Sequence, residues 1–78
     1  MEDLNKTISQ NLVSLRTKSG LTQLQVAERI NYSDKSVSKW ERGDAIPDIP
    51  VMLQLAKLYG VSLDDMVKDY GKKEIKPR

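Results

Sequence analysis

The fold is decided by residues 20–43, which read GLTQLQVAERINYSDKSVSKWERG. This stretch predicts two short helices joined by a tight turn. In the second helix, Val37 and Trp40 stand three residues apart and therefore lie on one side of a helix with 3.6 residues per turn. Basic residues repeat at intervals of four and three on another side: Lys35, Lys39 and Arg42. We expect one side of this helix to pack and the other to present positive charge to an anionic groove, such as the major groove of DNA.

Capping residues mark the boundaries of the first two predicted helices. Spacings of four and three predict a first helix over residues 4–19 with an apolar stripe of Leu4, Ile8, Leu12 and Leu15. Gly20 ends it. Thr22 caps the second helix, and Gln25 completes a capping box. Asn31 is predicted to end that helix in the left-handed conformation, which leaves a tight turn before the third.

The remaining helices carry similar signals. Their predicted N-caps are Ser33, Asp48 and Ser62, and their predicted ends are Gly43, Gly60 and about Tyr70. Pro50 falls in the first turn of the fourth helix, where its missing N–H costs little. The buried side of that helix is predicted to be Val51, Leu55 and Leu58, with Leu53 and Ala56 alongside. No strand-like alternation occurs, so the sequence predicts a compact all-α domain of five helices.

Composition excludes several classes of protein. The chain has 78 residues, enough for one small core, and contains neither cysteine nor histidine. Disulfides, thiol catalysis, imidazole acid–base chemistry and His-ligated zinc are therefore excluded. Asp64 and Asp65 lie in the first turn after the Ser62 cap, where acids stabilise a helix, so we interpret them as structural rather than as a metal or acid–base site. We expect no enzyme, no cofactor, no membrane segment and a cytoplasmic location.

Charge is distributed unevenly. Residues 71–78 hold four basic residues and one acid, a net charge of +3, whereas residues 1–70 hold nine basic residues and ten acids, a net charge of −1. Basicity of the whole domain is therefore no argument for nucleic acid. The prediction of nucleic-acid binding therefore rests on the cationic side of the third helix, because one positive face suffices to steer a domain toward a polyanion.

Several motifs together resemble the Cro/repressor-type helix-turn-helix family, also called the XRE family. They are Leu15-Arg16, Gly20-Leu21-Thr22-Gln23, Val26-Ala27, Val37-Ser38-Lys39-Trp40-Glu41-Arg42-Gly43, Pro47 and Leu55-Ala56-Lys57-Leu58-Tyr59-Gly60-Val61-Ser62, within a match over residues 8–68. The resemblance implies a lambda-repressor-like DNA-binding domain over residues 1–70, with its helix-turn-helix core at 22–43. Residues 71–78 would follow as a flexible basic tail.

The same resemblance implies site residues. The positions that match its base-contacting residues are Ser33, Asp34, Lys35 and Lys39. Those that match phosphate-contacting residues are Gln23, Ser36, Arg42 and the backbone of Gly43. Physically, the first turn of an inserted helix points deepest, so Lys35 is placed to donate to guanine and Asp34 to accept from cytosine. Asp34 and Ser33 also have purely structural interpretations, as a first-turn acid and a cap, and the two lysines have one as solvated charges.

Three residues are better explained by packing or pairing. Arg16 and Glu41 each follow an apolar position by four residues and so approach a packed face, and the resemblance implies a salt bridge between them that ties the first helix to the third. Trp40 shares the inward stripe with Val37 and is predicted to be core. Tyr32 is a candidate phosphate contact and Tyr59 a candidate core residue, and the sequence leaves both assignments open.

The sequence as a whole predicts a sequence-specific DNA-binding regulator, with repression the expected role. Binding as a homodimer to an inverted-repeat operator is expected, with contacts near the fourth and fifth helices from Met52, Met66, Val67 and Tyr70. The alternative is a protein-interaction or antitoxin-like module with the same fold, whose partner groove would be apolar rather than cationic.

Overall fold

A computed structural model of the chain describes residues 4–68 and contains five α-helices within them. They are α1 Leu4–Lys18, α2 Gln23–Ile30, α3 Asp34–Arg42, α4 Ile49–Tyr59 and α5 Leu63–Val67. Every ordered element in this part of the chain is helical, which confirms the predicted all-α class. The predicted tail at 71–78, the end of the predicted domain near Tyr70 and the dimer contact predicted at Tyr70 lie outside the described residues.

Local capping sets the boundaries of the helices. The side chains of the four predicted N-caps, Thr22, Ser33, Asp48 and Ser62, each accept a hydrogen bond from the backbone N–H three residues later, at 3.0 to 3.2 Å. Asn31 adopts the predicted left-handed conformation at the end of α2, with φ +62°. It is the one non-glycine residue with positive φ within residues 4–68. A left-handed residue at the end of a helix lets the chain change direction within a few residues. The short connections then stack the helices around one core.

The core is built from one face of each helix. The largest of the fully buried side chains are Leu15, Leu55, Met66, Val26 and Val51. Two apolar predictions are wrong: Leu4 and Leu53 are about half exposed, at 53% and 48%. Leu53 lies two positions after Val51, about 200° around the helix, and so faces away from the core. Met52 takes the place on the buried face that the prediction gave to Leu53, while Leu58 is only half-buried.

The end of α5 depends on a long-range hydrogen bond. Asn11 of α1 is buried, and its side-chain Nδ2 donates to the carbonyl oxygens of Met66 and Lys68, both at 2.8 Å. Helix continuation would require the Met66 carbonyl to bond to a backbone N–H four residues later. Instead Lys68 is extended, and α5 stops at Val67, before the predicted end near Tyr70. The buried amide thus fastens the last helix to the first.

Candidate nucleic-acid interface

The second helix of the helix-turn-helix pair, α3, has one buried face and one exposed face. Asn31 turns the chain after α2, and the N–H of Tyr32 donates to the Ala27 carbonyl at 2.8 Å, closing the turn. On α3, Val37 and Trp40 are buried against α1 and α2. The three basic residues of the opposite edge are exposed: Lys35, Lys39 and Arg42. We call these three the cationic edge.

A buried ion pair at the C-terminal half of α3 fixes this helix against α1. The Nε of Arg16 donates to Oε2 of Glu41 at 2.7 Å, and the two side chains are only 18% and 5% exposed. The predicted pair is therefore present. The hydrogen bond with Glu41 raises the pKa of the Arg16 guanidinium above its usual value, an effect that burial opposes. A second Arg16 nitrogen, Nη1, donates to the Leu21 carbonyl at 3.0 Å, which extends the contact to the segment before α2.

Gln23 also bonds to the Arg16–Glu41 pair, a contact that was not predicted from the sequence. Its side-chain Nε2 donates to Oε1 of Glu41 at 3.1 Å, so one carboxylate binds residues from both α1 and α2. The side-chain amide predicted to contact phosphate is thereby oriented by the ion pair. Gln23 and Glu41 lie 18 residues apart in the sequence, and no local pattern links them.

The N-terminus of α2 retains free hydrogen-bond donors. The capping box uses the N–H groups of Thr22 and Gln25, which bond to each other's side chains at 2.8 and 3.1 Å. The first four N–H groups of a helix have no partner inside it, so those of Gln23 and Leu24 remain for an external acceptor. Free N–H groups at the positive end of a helix dipole favour an anion there.

The first turn of α3 is organised by two serines. Ser33 accepts from the Ser36 N–H at 3.2 Å, and the hydroxyls of the two residues are 3.1 Å apart. Asp34 and Lys35 directly follow the cap and are exposed. Both predicted roles of Ser33 are thus compatible with the geometry, since the cap is formed and the residue still faces solvent. The four residues predicted to contact bases are all exposed at the N-cap or along α3: Ser33, Asp34, Lys35 and Lys39.

Arg42 and Gly43 end α3 in ways that bear on their predicted phosphate role. Arg42 donates from Nε to Oδ2 of Asp44 at 2.9 Å and from Nη1 to Oγ of Ser38 at 2.9 Å. Its ion pair with Asp44 is open to solvent, both side chains being 58% exposed. The N–H of Gly43 is already bonded to the Trp40 carbonyl at 3.2 Å. A phosphate contact through the Gly43 backbone would therefore compete with the helix cap.

The two tyrosines that the sequence left open have different environments. Tyr32 is exposed, and its ring lies 5.5 Å from that of Trp40 at a tilt of 59°, within the range of favourable aromatic pairs. Tyr59 is a core residue, 3% exposed. Its burial raises the pKa of the hydroxyl well above 10, and the charge of Glu41 adds to this while that of Arg16 opposes it. Trp40 is core, as predicted.

Other kinds of site find no support within residues 4–68. No three carboxylates there are grouped closely enough to hold a metal ion. Asp65 serves as the reciprocal partner in the Ser62 capping box, its Oδ2 accepting from the Ser62 N–H at 3.1 Å. None of the helices in this range is both long and apolar enough to cross a membrane.

Comparison with known proteins identifies the same architecture. A family model described as helix-turn-helix matches residues 12–66. The HTH-type transcriptional regulator ImmR of Bacillus subtilis is 35% identical over 69 residues, which cover 88% of this chain and 52% of ImmR. The uncharacterized HTH-type transcriptional regulator y4dJ of Sinorhizobium fredii is 35% identical over 65 residues, covering 83% of this chain and 84% of y4dJ. The chain spans about half the length of ImmR and most of y4dJ.

A solved structure extends the comparison to three dimensions. The solution structure of the SOS-response transcriptional repressor LexA from Eubacterium rectale superposes with a TM-score of 0.85 at 27% sequence identity. The match covers 99% of this chain and 82% of that one. The five-helix arrangement described above is therefore shared with a transcriptional regulator of known structure.

Proposed function

The chain belongs to the helix-turn-helix family, and we propose that it binds double-stranded DNA sequence-specifically as a transcriptional regulator, with α3 inserted into the major groove. The observation that supports this most directly is the cationic edge. Its three basic side chains are exposed while the same helix is anchored by buried Val37 and Trp40 and by the Arg16–Glu41 pair. An α-helix with its side chains is about 10–12 Å in diameter, so this anchored helix of nine residues fits a groove about 12 Å wide.

Base recognition is assigned to the first turns of α3. Lys35 and Lys39 are one turn apart and offer ammonium groups to guanine O6 and N7. Asp34 is placed to accept from cytosine N4, and Ser33 to donate or accept through its hydroxyl. No ion pair within residues 4–68 holds either lysine, so both are free to contact base edges.

Phosphate contacts are assigned to the ends of the two helices. The free N–H groups of Gln23 and Leu24 would bind one phosphate at the N-terminus of α2, with the Gln23 amide oriented by Glu41. Ser36 in the first turn of α3 and Arg42 at its last position would bind other phosphates. Gly43 is assigned a weaker role, because its N–H already bonds within the fold. These contacts would set the register of α3 without determining sequence.

Assembly as a homodimer on an inverted-repeat operator is also proposed, with a revised interface. Met52 and Met66 are buried in the core, at 3% and 0% exposure, so they are unavailable as dimer contacts in this conformation. An apolar depression of about 340 Å³ is lined by residues of α4 and α5: Ile49, Met52, Leu63, Asp64 and Val67. Ile49 is 59% exposed and Leu53, one turn on, is 48% exposed. These two side chains are the better candidates for contact with a second copy.

Repression follows most simply from this assignment, because a regulator that occupies a promoter blocks polymerase without any further contact. A cytoplasmic location is the matching proposal. The protein-interaction alternative is disfavoured by the charge of α3, since the core of a protein interface is depleted of lysine.

Selection from a random duplex library tests the proposal. The purified chain should enrich a motif with two half-sites whose centres lie ~34 Å, or about 10 base pairs, apart. Inserting five base pairs between the half-sites turns one of them to the opposite face of the duplex and should weaken binding sharply. A library that stays random after repeated rounds would refute sequence-specific binding. Enrichment of a single, unrepeated half-site would refute the dimer but not sequence-specific binding. Affinity for paired half-sites that does not change with their spacing would do the same.

A further inference from the structure

A second cationic feature lies where the start of α1 meets the end of α3. A depression of about 310 Å³ there is lined by Lys6 and Ser9 of α1 and by Arg42 and Gly43. Two elements thus contribute one basic side chain each to the same small space, which we call the Lys6–Arg42 cleft. Lys6 belongs to the first turn of α1, where the helix dipole is also positive.

The floor of the cleft is kept open by small residues. The Ser9 hydroxyl donates to the Lys6 carbonyl at 2.9 Å, which directs this side chain back along α1. Gly43 has φ +80°, and a Cβ added there would lie 3.5 Å from the Ser9 oxygen. A larger residue at either position would narrow the space between the two cations.

We propose that the Lys6–Arg42 cleft binds a single phosphate of the DNA backbone, which makes Lys6 a DNA contact outside the helix-turn-helix. The inference rests on the proposed insertion of α3. Arg42 lies seven residues after Lys35 on the cationic edge, about 10 Å further along the helix axis. Since the major groove is about 12 Å wide, a helix with Lys35 at the bases brings Arg42 to the groove wall, where the acceptors are phosphate oxygens. Lys6 lines the same space and therefore meets the same strand.

Asp44 competes with that phosphate. In the free protein its carboxylate holds the Arg42 guanidinium at 2.9 Å. Exposed pairs of this kind are weak, and a phosphate offers a stronger, charge-assisted partner, so binding exchanges one anion for the other. The carboxylate then remains beside the bound phosphate and repels it. Asp44 is thereby expected to lower affinity for all DNA sequences alike.

Salt-dependent binding of Lys6→Ala tests the cleft. One lost phosphate contact should reduce the magnitude of the slope of log K against log salt by about 0.9, which corresponds to about eightfold weaker binding at 0.1 M salt. The loss should be equal on a selected site and on random duplex, because phosphates carry no sequence information. Lys57→Ala is the matched control: it removes one exposed lysine of α4 that does not line the cleft, and it should leave the slope near that of the parent.

Two further variants test the shared phosphate. If Lys6 and Arg42 bind one phosphate, the double alanine variant should lose less in log K than the sum of the single losses, whereas separate phosphates would give additive losses. Asp44→Asn should strengthen binding severalfold on both kinds of duplex. Parent-like binding by Lys6→Ala, additive losses, or unchanged binding by Asp44→Asn would each overturn the inference. Failure of the parent chain to bind any duplex would instead refute the proposed function, so the two failures are distinguishable.

Discussion

Removing the guanidinium of Arg16 should destabilise the domain far more than removing that of Arg42. Both arginines donate from Nε to a carboxylate, at 2.7 Å to Glu41 and at 2.9 Å to Asp44. The pairs differ in burial: the side chain of Glu41 is 5% exposed and that of Asp44 is 58% exposed. Comparing them therefore contrasts a buried ion pair that links two helices with an exposed pair that has a similar N–O distance.

The expected magnitude follows from what each substitution leaves behind. Arg16→Ala leaves a buried carboxylate with the neutral Gln23 amide as a donor, and such an unpaired buried charge costs ~3–5 kcal/mol. A domain of this length is stabilised by roughly 4–12 kcal/mol in total, so the variant should be close to unfolding. Glu41→Ala should cost somewhat less, because Arg16 keeps the Leu21 carbonyl and is partly solvated. Arg42→Ala should cost under ~1 kcal/mol.

Urea unfolding followed by Trp40 fluorescence and by circular dichroism measures these losses. The double variant Arg16→Ala with Glu41→Ala should lose less than the sum of the single losses, since no charge is left unpaired. An apolar pair, Arg16→Met with Glu41→Leu, should recover most of the stability. Losses below ~1 kcal/mol for Arg16→Ala, equal to that of Arg42→Ala, would show that the network around Glu41 behaves as a solvated surface contact and would refute the reasoning.

Two further predictions concern the core. Asn11→Ala removes the donor to two carbonyl oxygens and should cost ~1–3 kcal/mol, with early loss of protection at the end of α5 in hydrogen exchange; an α5 as protected as in the parent would argue against the fastening role. Because burial raises the pKa of Tyr59 in the fold above its unfolded value of about 10, stability should be unaffected below pH 10 and should fall above it by up to ~1.4 kcal/mol per pH unit. Tyr59→Phe should lack the part of the stability loss that comes from Tyr59 when it is compared with the parent in urea melts from pH 8 to pH 11. Stability that falls in parallel with pH in the two proteins would contradict this prediction.

Features set by a few adjacent residues were predictable from the sequence. The caps at Thr22, Ser33, Asp48 and Ser62 and the left-handed Asn31 arise from hydrogen bonds that span three or four residues, so their chemistry is visible in the order of residues. The opposed faces of α3 follow equally from the helical period.

Features that depend on how helices pack were not predictable in the same way. The early end of α5 results from Asn11, 55 positions before Met66 in the chain, and the orientation of Gln23 results from a carboxylate on another helix. The core prediction for Leu53 is wrong because its apolar character does not set its direction: its angular position on α4 turns it away from the core. The Lys6–Arg42 cleft joins two residues 36 positions apart, and only the crossing of α1 over the end of α3 brings them together.

The specificity of the cationic edge is the most direct test of the proposal that α3 contacts bases. Affinities of Lys35→Ala and Lys39→Ala should be measured by fluorescence anisotropy on a selected site and on random duplex at one fixed salt concentration, with Arg42→Ala and Lys57→Ala as controls. Each of the first two changes should lose ~1–3 kcal/mol on the selected site and less on random duplex, which narrows the ratio of the two affinities. Arg42→Ala should weaken both equally, and Lys57→Ala neither. Equal losses on the two duplexes for Lys35→Ala and Lys39→Ala would contradict insertion of α3 as the base-contacting helix.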